Sequence, residues 1–248
     1  MKTRIVILAA GNSTRMNGIP KVLLDIGGTP MLVRVVDAAV ASGVDRHPVI
    51  VVGVHGGAMR QALDNRCDYV VQERQLGTGH AVQCAESALR GFAETVIVLY
   101  GDNPLIQPRT IRLLAEVHER SMAAITMLTT TVPDFEDWRR PFYDFGRLVR
   151  DAGGNVVKSV EKKDASPQEL GIKELNPSCY CFTAAWLWEH LPKIKSHNAQ
   201  GEYYLTDLVQ IAIEEGAKVE AIPVDAHEVI GVNTPEQLEI VRKLSEMQ

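Results

Sequence analysis

The sequence predicts an α/β protein: a doubly wound mixed sheet with a smaller β-rich lobe in its second half. Short continuous apolar runs, amphipathic stretches between them and a change of texture after Val132 carry that expectation. Ile5-Val6-Ile7-Leu8 and Val96-Ile97-Val98-Leu99 are apolar at every position, as strands covered on both faces of a parallel sheet are. Strands are expected at 4–10, 48–54, 69–72, 95–100 and 124–131, with helices at 30–42, 58–65, 79–90 and 108–120 between them. Repeated strand–helix–strand units imply right-handed crossovers and an open sheet. Ligands of such sheets sit beyond the carboxyl ends of the strands, so the loops after Ala10, Gln72 and Tyr100 matter most.

Past Val132, a stretch rich in aromatic and charged residues (135–145) precedes Gly146-Arg147-Leu148-Val149. Asp151-Ala152-Gly153-Gly154-Asn155 signals a turn, and 156–161 reads as the returning strand of a hairpin. Further strands are expected at 175–183 and 218–224, and helices at 184–191, 203–215 and 235–247. No linker, repeat or low-complexity segment interrupts the chain, which predicts one domain over 1–248.

The chain has 26 Lys and Arg against 31 Asp and Glu, a net charge of −5. That mild acidity argues against a nucleic-acid binder but leaves room for a local basic site for a small phosphate ligand. An apolar content of 46% excludes a mainly disordered chain. No apolar run approaches the ~20 residues that span a bilayer, so no membrane role is expected. Met1-Lys2-Thr3-Arg4 and the apolar residues after it imitate a signal peptide. The run is too short, however, and enters the polar Gly11-Asn12-Ser13-Thr14-Arg15 rather than a cleavage site. It reads as the first strand, and a cytoplasmic location is expected. Cys67, Cys84, Cys179 and Cys181 lack the paired spacing of a zinc site and are expected to be reduced structural thiols.

The first strand ends in Leu8-Ala9-Ala10-Gly11-Asn12-Ser13-Thr14-Arg15-Met16, with Pro20-Lys21-Val22-Leu23 close behind. Small side chains at Ala9, Ala10 and Gly11 let a ligand approach the backbone, whose successive N–H groups can form an anion nest. Arg15 can fork onto phosphate oxygens, and Lys21 supplies a point charge. Neither G-x-G-x-x-G nor a Walker A loop is present, so dinucleotide binding and ATPase chemistry have no motif behind them. Gln72, at a strand end, carries both donor and acceptor and can read a base edge. Gly77-Thr78-Gly79 opens a helix, where N–H groups and a hydroxyl face a ligand. His80 decides nothing by itself, since a helix-opening His packed against a sheet fits equally well. Tyr100-Gly101-Asp102-Asn103-Pro104 puts a carboxylate at a strand's carboxyl end, where it either caps a turn or holds Mg²⁺. Asn233, in Gly231-Val232-Asn233-Thr234-Pro235, sits at what reads as another strand-to-helix junction. One carboxylate and one carboxamide leave most of an octahedral shell to water and substrate phosphates, which suits Mg²⁺.

In this order the motifs resemble those of the sugar nucleotidyltransferases, in particular the uridylyltransferase domain of the bifunctional N-acetylglucosamine-1-phosphate uridyltransferases. The matching stretches are 8–16, 20–23, 75–81, 100–102, 145–147, 160–165, 198–207 and 231–233. Gln75-Leu76-Gly77-Thr78-Gly79-His80-Ala81 and Asn198-Ala199-Gln200-Gly201-Glu202-Tyr203-Tyr204 are the most specific. The resemblance implies a Rossmann-like fold of the nucleotide-diphospho-sugar transferase type. About 1–131 would form a nucleotide-binding half, about 132–233 a sugar-binding part and 234–248 a C-terminal helix. It implies a catalytic set of Arg15, Lys21 and Asp102, with Asp102 and Asn233 on Mg²⁺. Leu8, Ala9, Ala10, Gly11, Gln72, Gly77, Thr78, Tyr100 and Gly101 would surround the nucleotide. Gly146, Glu161, Asn176, Glu202 and Tyr204 would meet the sugar. The implied partners are UTP and a sugar 1-phosphate, N-acetylglucosamine 1-phosphate by the resemblance.

Two departures bear on the sugar. Asn176-Pro177-Ser178 stands where the family has Asn-Thr-Gly, and proline removes a backbone donor and fixes φ, so the pocket around an acetamido group is expected to be reshaped. The segment 135–144 is also longer and more aromatic than the family pattern. No hexapeptide-repeat β-helix follows Gln248, so the acetyltransferase activity and usual trimerisation surface of the bifunctional enzymes are expected to be missing. The oligomeric state stays open. Transfer with another sugar, or with dTTP or CTP, and a nucleotide-sugar sensor without turnover are the alternative readings. A phosphate monoester, with its second pKa near about 6, is already an anionic nucleophile at neutral pH, so no general base is expected. The obstacle is repulsion between two polyanions, which Mg²⁺, Arg15, Lys21 and loop N–H groups are expected to overcome.

Overall fold

The computed structural model describes residues 2–11 and 20–247, so Arg15 lies outside the described residues. Strand β1 (Thr3–Ala9) is followed by a 3-10 turn (Lys21–Leu23), a short ribbon of β2 (Asp25–Ile26) and β3 (Thr29–Pro30), and α1 (Met31–Ala41). Then come β4 (Val49–Gly53), α2 (Gly57–Leu63), β5 (Asp68–Gln72), α3 (Thr78–Cys84), α4 (Glu86–Leu89), β6 (Thr95–Tyr100), α5 (Pro108–Ser121) and β7 (Ile125–Thr131). The second half adds β8 (Gly146–Arg150), β9 (Val156–Val160), α6 (Pro167–Leu170), β10 (Glu174–Asn176) and β11 (Tyr180–Thr183). It ends with α7 (Ala184–His190), α8 (Asp207–Glu214), β12 (Val219–Pro223), α9 (Ala226–Val229) and α10 (Pro235–Ser245).

The main sheet runs β5-β4-β1-β6-β11-β7, with β12 also paired to β7. Strands β5, β4, β1 and β6 are mutually parallel, while β11 is antiparallel to both β6 and β7. The upper end of β7 passes into a smaller antiparallel sheet with β10, β8 and β9. Strand β11 comes from the second half of the chain yet lies between β6 and β7, so the two halves interleave in one sheet. The chain leaves β1 toward β4 and β5 on one side and returns to β6 on the other. The crevice at the carboxyl ends of β1 and β6 is therefore the topological switch point, where such sheets bind ligands.

Two cores explain the uninterrupted apolar runs. Ile5, Ile7, Ile50, Ile97 and Leu99 face one layer with Leu32, Val35, Leu114 and Val241. The alternate residues Val6, Leu8, Val49, Val51, Val96 and Val98 face the other with Val82, Leu187 and Leu208. Ile7 is completely buried, and its burial contributes on the order of 1.5–3 kcal/mol.

Several boundaries differ from the sequence reading for local reasons. The strand expected over 175–183 is split into β10 and β11 by Pro177 and by Ser178, whose φ is 62°. The two pieces still follow one line along β7, because Leu128 N–H donates to Cys179 O. The helix expected from 203 starts only at Asp207, since the Tyr203 backbone is committed elsewhere: its N–H donates to Leu76 O and its carbonyl accepts from Gly79 N–H. The aromatic loop holds an eight-residue 3-10 helix, Asp137–Asp144, with Pro141 inside, and Trp138 stacks on His227 at 4.2 Å. Asn233 follows α9 through an extended segment rather than a strand. All four cysteines are free thiols, and Cys179 and Cys181 share one core. Among the described residues no helix is long and apolar enough to cross a membrane.

Candidate functional site

A cleft of about 320 Å³ opens at the carboxyl ends of β1, β5 and β6. Leu8, Ala9, Ala10 and Gly11 form its floor, and Lys21, Gln72, Gln75, Gly77, Thr78, Tyr100, Asp102 and Glu202 its walls. Gly101 does not line it. The Gly101 N–H donates to Leu8 O at 2.9 Å, and a Cβ there would meet Leu32 at 3.0 Å, so this glycine lets β6 close against β1 and α1. A second cleft of about 370 Å³ lies beside Arg109, His227 and Glu228. There the Glu228 carboxylate is already bonded to the Thr110 hydroxyl and to Arg109.

The wall at 75–79 is fastened to 202–205. Gly77 has φ +111°, and a Cβ would fall 2.6 Å from Tyr203 O, so only glycine fits. Backbone bonds Tyr203 N–H to Leu76 O and Gly79 N–H to Tyr203 O, each 2.8 Å, cross between the two segments. Thr78 Oγ1 accepts from Leu205 N–H at 3.0 Å. The Gly79 N–H and the Thr78 hydroxyl, expected to face a ligand, therefore hold the site's walls together. Glu202, expected on the sugar side, lines the cleft beside Gly77. Burial pushes the Tyr100 phenol above its ordinary range, against a hydrogen bond from Thr78.

At the mouth, Lys21 Nζ lies 2.6 Å from Asp102 Oδ2 and 2.6 Å from Asn233 Oδ1. Three distant segments meet here because Val232 N–H donates to Asp102 O and Gly231 lies against Asn103, leaving only 3.0 Å for a Cβ. The carboxylate and carboxamide oxygens thus converge on one cationic position. A hard oxygen pair with few protein ligands fits Mg²⁺ shared with phosphates and water. Among the described residues no cluster of three or more His, Cys, Asp or Glu offers another metal site.

On the far side of β8, a Cβ at Gly146 would lie 3.6 Å from Glu161 Oε1 and 3.7 Å from Asn176 Cβ, so these three expected sugar-side residues are neighbours. The Asn176 amide is fully engaged: Nδ2 donates to Tyr180 Oη (2.6 Å) and Ser159 Oγ (3.0 Å), and Oδ1 accepts from Ser178 N–H. Burial raises the Glu161 carboxyl, with Thr206 and Arg147 pulling it back. Asp207 is pushed up to about 6 by burial and then by Glu161 and Asp164. The Tyr204 hydroxyl accepts from Gln200 Nε2 at 2.7 Å, and burial raises this phenol too. Two residues gain weight only from the structure. Arg147 is fully buried between Phe135 and Tyr143, and its place in the matching stretch 145–147 was the hint. His80 contacts Gln72.

Residues 5–202 match the family described as MobA-like NTP transferase domain. Over 237 residues, 94% of this chain, the sequence is 44% identical to the bifunctional protein GlmU of Geobacter metallireducens, of which it covers 48%. It is 43% identical over 239 residues to the bifunctional protein GlmU of Heliobacterium modesticaldum, covering 96% of this chain and 50% of that protein. The chain thus spans about half the length of the curated relatives it matches. Among solved structures, CMP:2-keto-3-deoxy-manno-octonic acid synthetase complexed with CTP superposes with a TM-score of 0.73 at 20% identity, covering 100% of this chain and 99% of that one. That likeness supports the Rossmann-like mixed α/β fold.

Proposed function

Because the chain belongs to the MobA-like NTP transferase domain family, we propose that it joins UTP to a sugar 1-phosphate, with N-acetylglucosamine 1-phosphate the leading candidate, and releases pyrophosphate. The whole of 1–248 acts as one cytoplasmic domain in this reading, with about 1–131 holding the nucleotide, 132–233 the sugar and 234–248 a closing helix. The observation that carries it is the convergence of Lys21, Asp102 and Asn233 at the open end of a cleft floored by Leu8 to Gly11. A sugar phosphate needs no deprotonation to attack, and among the described residues no His or Cys lines that cleft. Its chemical need is relief from charge repulsion. Lys21, with Arg15 beyond the described residues, would hold phosphate oxygens in line, Gln72 would meet the base, and Gly146 and Glu161 would orient the sugar hydroxyls. Asp102 and Asn233 would hold Mg²⁺, which when bound supplies further charge neutralisation.

The test is pyrophosphate release with Mg²⁺ across a panel of nucleoside triphosphates and sugar 1-phosphates. UTP with N-acetylglucosamine 1-phosphate is expected to lead. Lys21→Ala and Asp102→Ala are each expected to lower turnover by ~10²–10³ with unchanged circular dichroism. Release no higher than the blank for every pair, or variants as fast as wild type, would overturn the proposal. A second reading, a sugar without the acetamido group, is favoured by one observation: the Asn176 amide has both N–H groups committed within the protein.

A further inference from the structure

Gln72 is 3% exposed and lines the cleft where the proposed nucleotide would lie. Its Nε2 is 3.1 Å from Gly77 O and 2.9 Å from His80 Nδ1. A backbone carbonyl only accepts, so the amide atom facing Gly77 must be the nitrogen, and the orientation of the carboxamide follows from chemistry. That nitrogen has two hydrogens. One goes to Gly77 O and the other to His80 Nδ1, which can accept only when the imidazole carries its proton on Nε2. His80 Nε2 in turn lies 3.9 Å from Cys84 Sγ, a weak acceptor. Among the described residues Gln72 Oε1 is left without a protein partner, on a side chain that faces the cleft.

We infer that His80 is a positioning residue for base selection, locking the Gln72 carboxamide so that it offers the base only an acceptor. The inference rests on the proposed nucleotidyl transfer. An acceptor-only group complements the N3–H of uracil or thymine, whereas cytosine N3 is itself an acceptor and would oppose Oε1 lone pair to lone pair. Reversing the carboxamide to suit cytosine would turn Oε1 against both Gly77 O and the Nδ1 lone pair. His80 therefore sets the base preference without touching the base.

The test is calorimetry with MgUTP and MgCTP, which needs no turnover, alongside the KM for the sugar phosphate. Wild type is expected to bind UTP about tenfold or more tightly than CTP, the cost of an unpaired buried polar group. His80→Leu is expected to shrink that ratio by about three- to tenfold, one hydrogen bond's worth, with the KM for the sugar phosphate unchanged. His80→Asn, whose Oδ1 replaces the acceptor near Nδ1, is expected to restore it. An undiminished ratio in folded His80→Leu, or no preference in wild type, would overturn the inference. Nitrogen NMR of the wild type decides it even if His80→Leu does not fold: a proton on Nδ1 refutes the lock, and one on Nε2 supports it. Failure of transfer with every sugar phosphate, beside a normal ratio, would overturn the proposed function and leave the lock standing.

Discussion

Arg147 Nε and Nη2 are buried and meet no hydrogen-bond partner among the described residues. Its guanidinium centre lies 5.2 Å from the ring centres of both Phe135 and Tyr143, and Nη1 donates to Phe145 O. Two cation–π contacts of about 0.5–2 kcal/mol each offset part of a desolvation cost of several kcal/mol. The charge also reaches Glu161 and favours its ionised form. Arg147→Met is therefore expected to leave the urea midpoint unchanged or raise it. The pH dependence of the sugar-phosphate KM should move to higher pH, because Glu161 then ionises later. A midpoint drop beside an unmoved pH profile would contradict this. Lys21, Asp102 and Asn233 were named from the sequence by residue type and motif, and the fold brings the three side chains into contact. The role of His80 was not, because it depends on which atom of Gln72 faces Gly77.

Helix α10 is entered through a capping box that also sets Asn233. Thr234 Oγ1 accepts from Gln237 N–H at 3.3 Å, while Gln237 Oε1 accepts from the backbone N–H groups of Asn233 (2.5 Å) and Thr234 (3.1 Å). Thr234→Ala is expected to cost about 1 kcal/mol of stability and to raise the Mg²⁺ concentration for half-maximal turnover, read by denaturation and by metal titration. The start of this helix was readable: Thr234, Pro235 and Gln237 make a known entry pattern. The 3-10 helix Asp137–Asp144 was not, since Pro141 interrupts any helical period and its support is tertiary, from Trp138 on His227. The break after Asn176 was half legible. Pro177 announced a lost donor, but the left-handed Ser178 is visible only in three dimensions.

Across the whole molecule, one buried imidazole ties stability to pH. His118 is 3% exposed and sits against Thr126 Oγ1 at 2.9 Å and Thr183 Oγ1 at 3.3 Å. Burial lowers it to about 4. The unfolded chain takes up this proton near about 6.5, so the contribution is fully present above that pH and is lost as pH falls toward 4. Asp207, raised to about 6, works in the opposite direction, its penalty relieved as pH falls. The expected result is a difference between proteins: from pH 7 to pH 5, wild type should lose about 2 kcal/mol more unfolding free energy than His118→Phe. Parallel pH curves in urea unfolding would rule it out.

The backbone bonds that cross between Leu76–Gly79 and Tyr203–Leu205 fasten together two segments far apart in the chain. A ligand that orders one is therefore expected to order the other. Occupancy of one proposed subsite would then be felt at its neighbour as a free-energy coupling, and thermodynamic reciprocity would require each proposed substrate to tighten or loosen the other by the same factor.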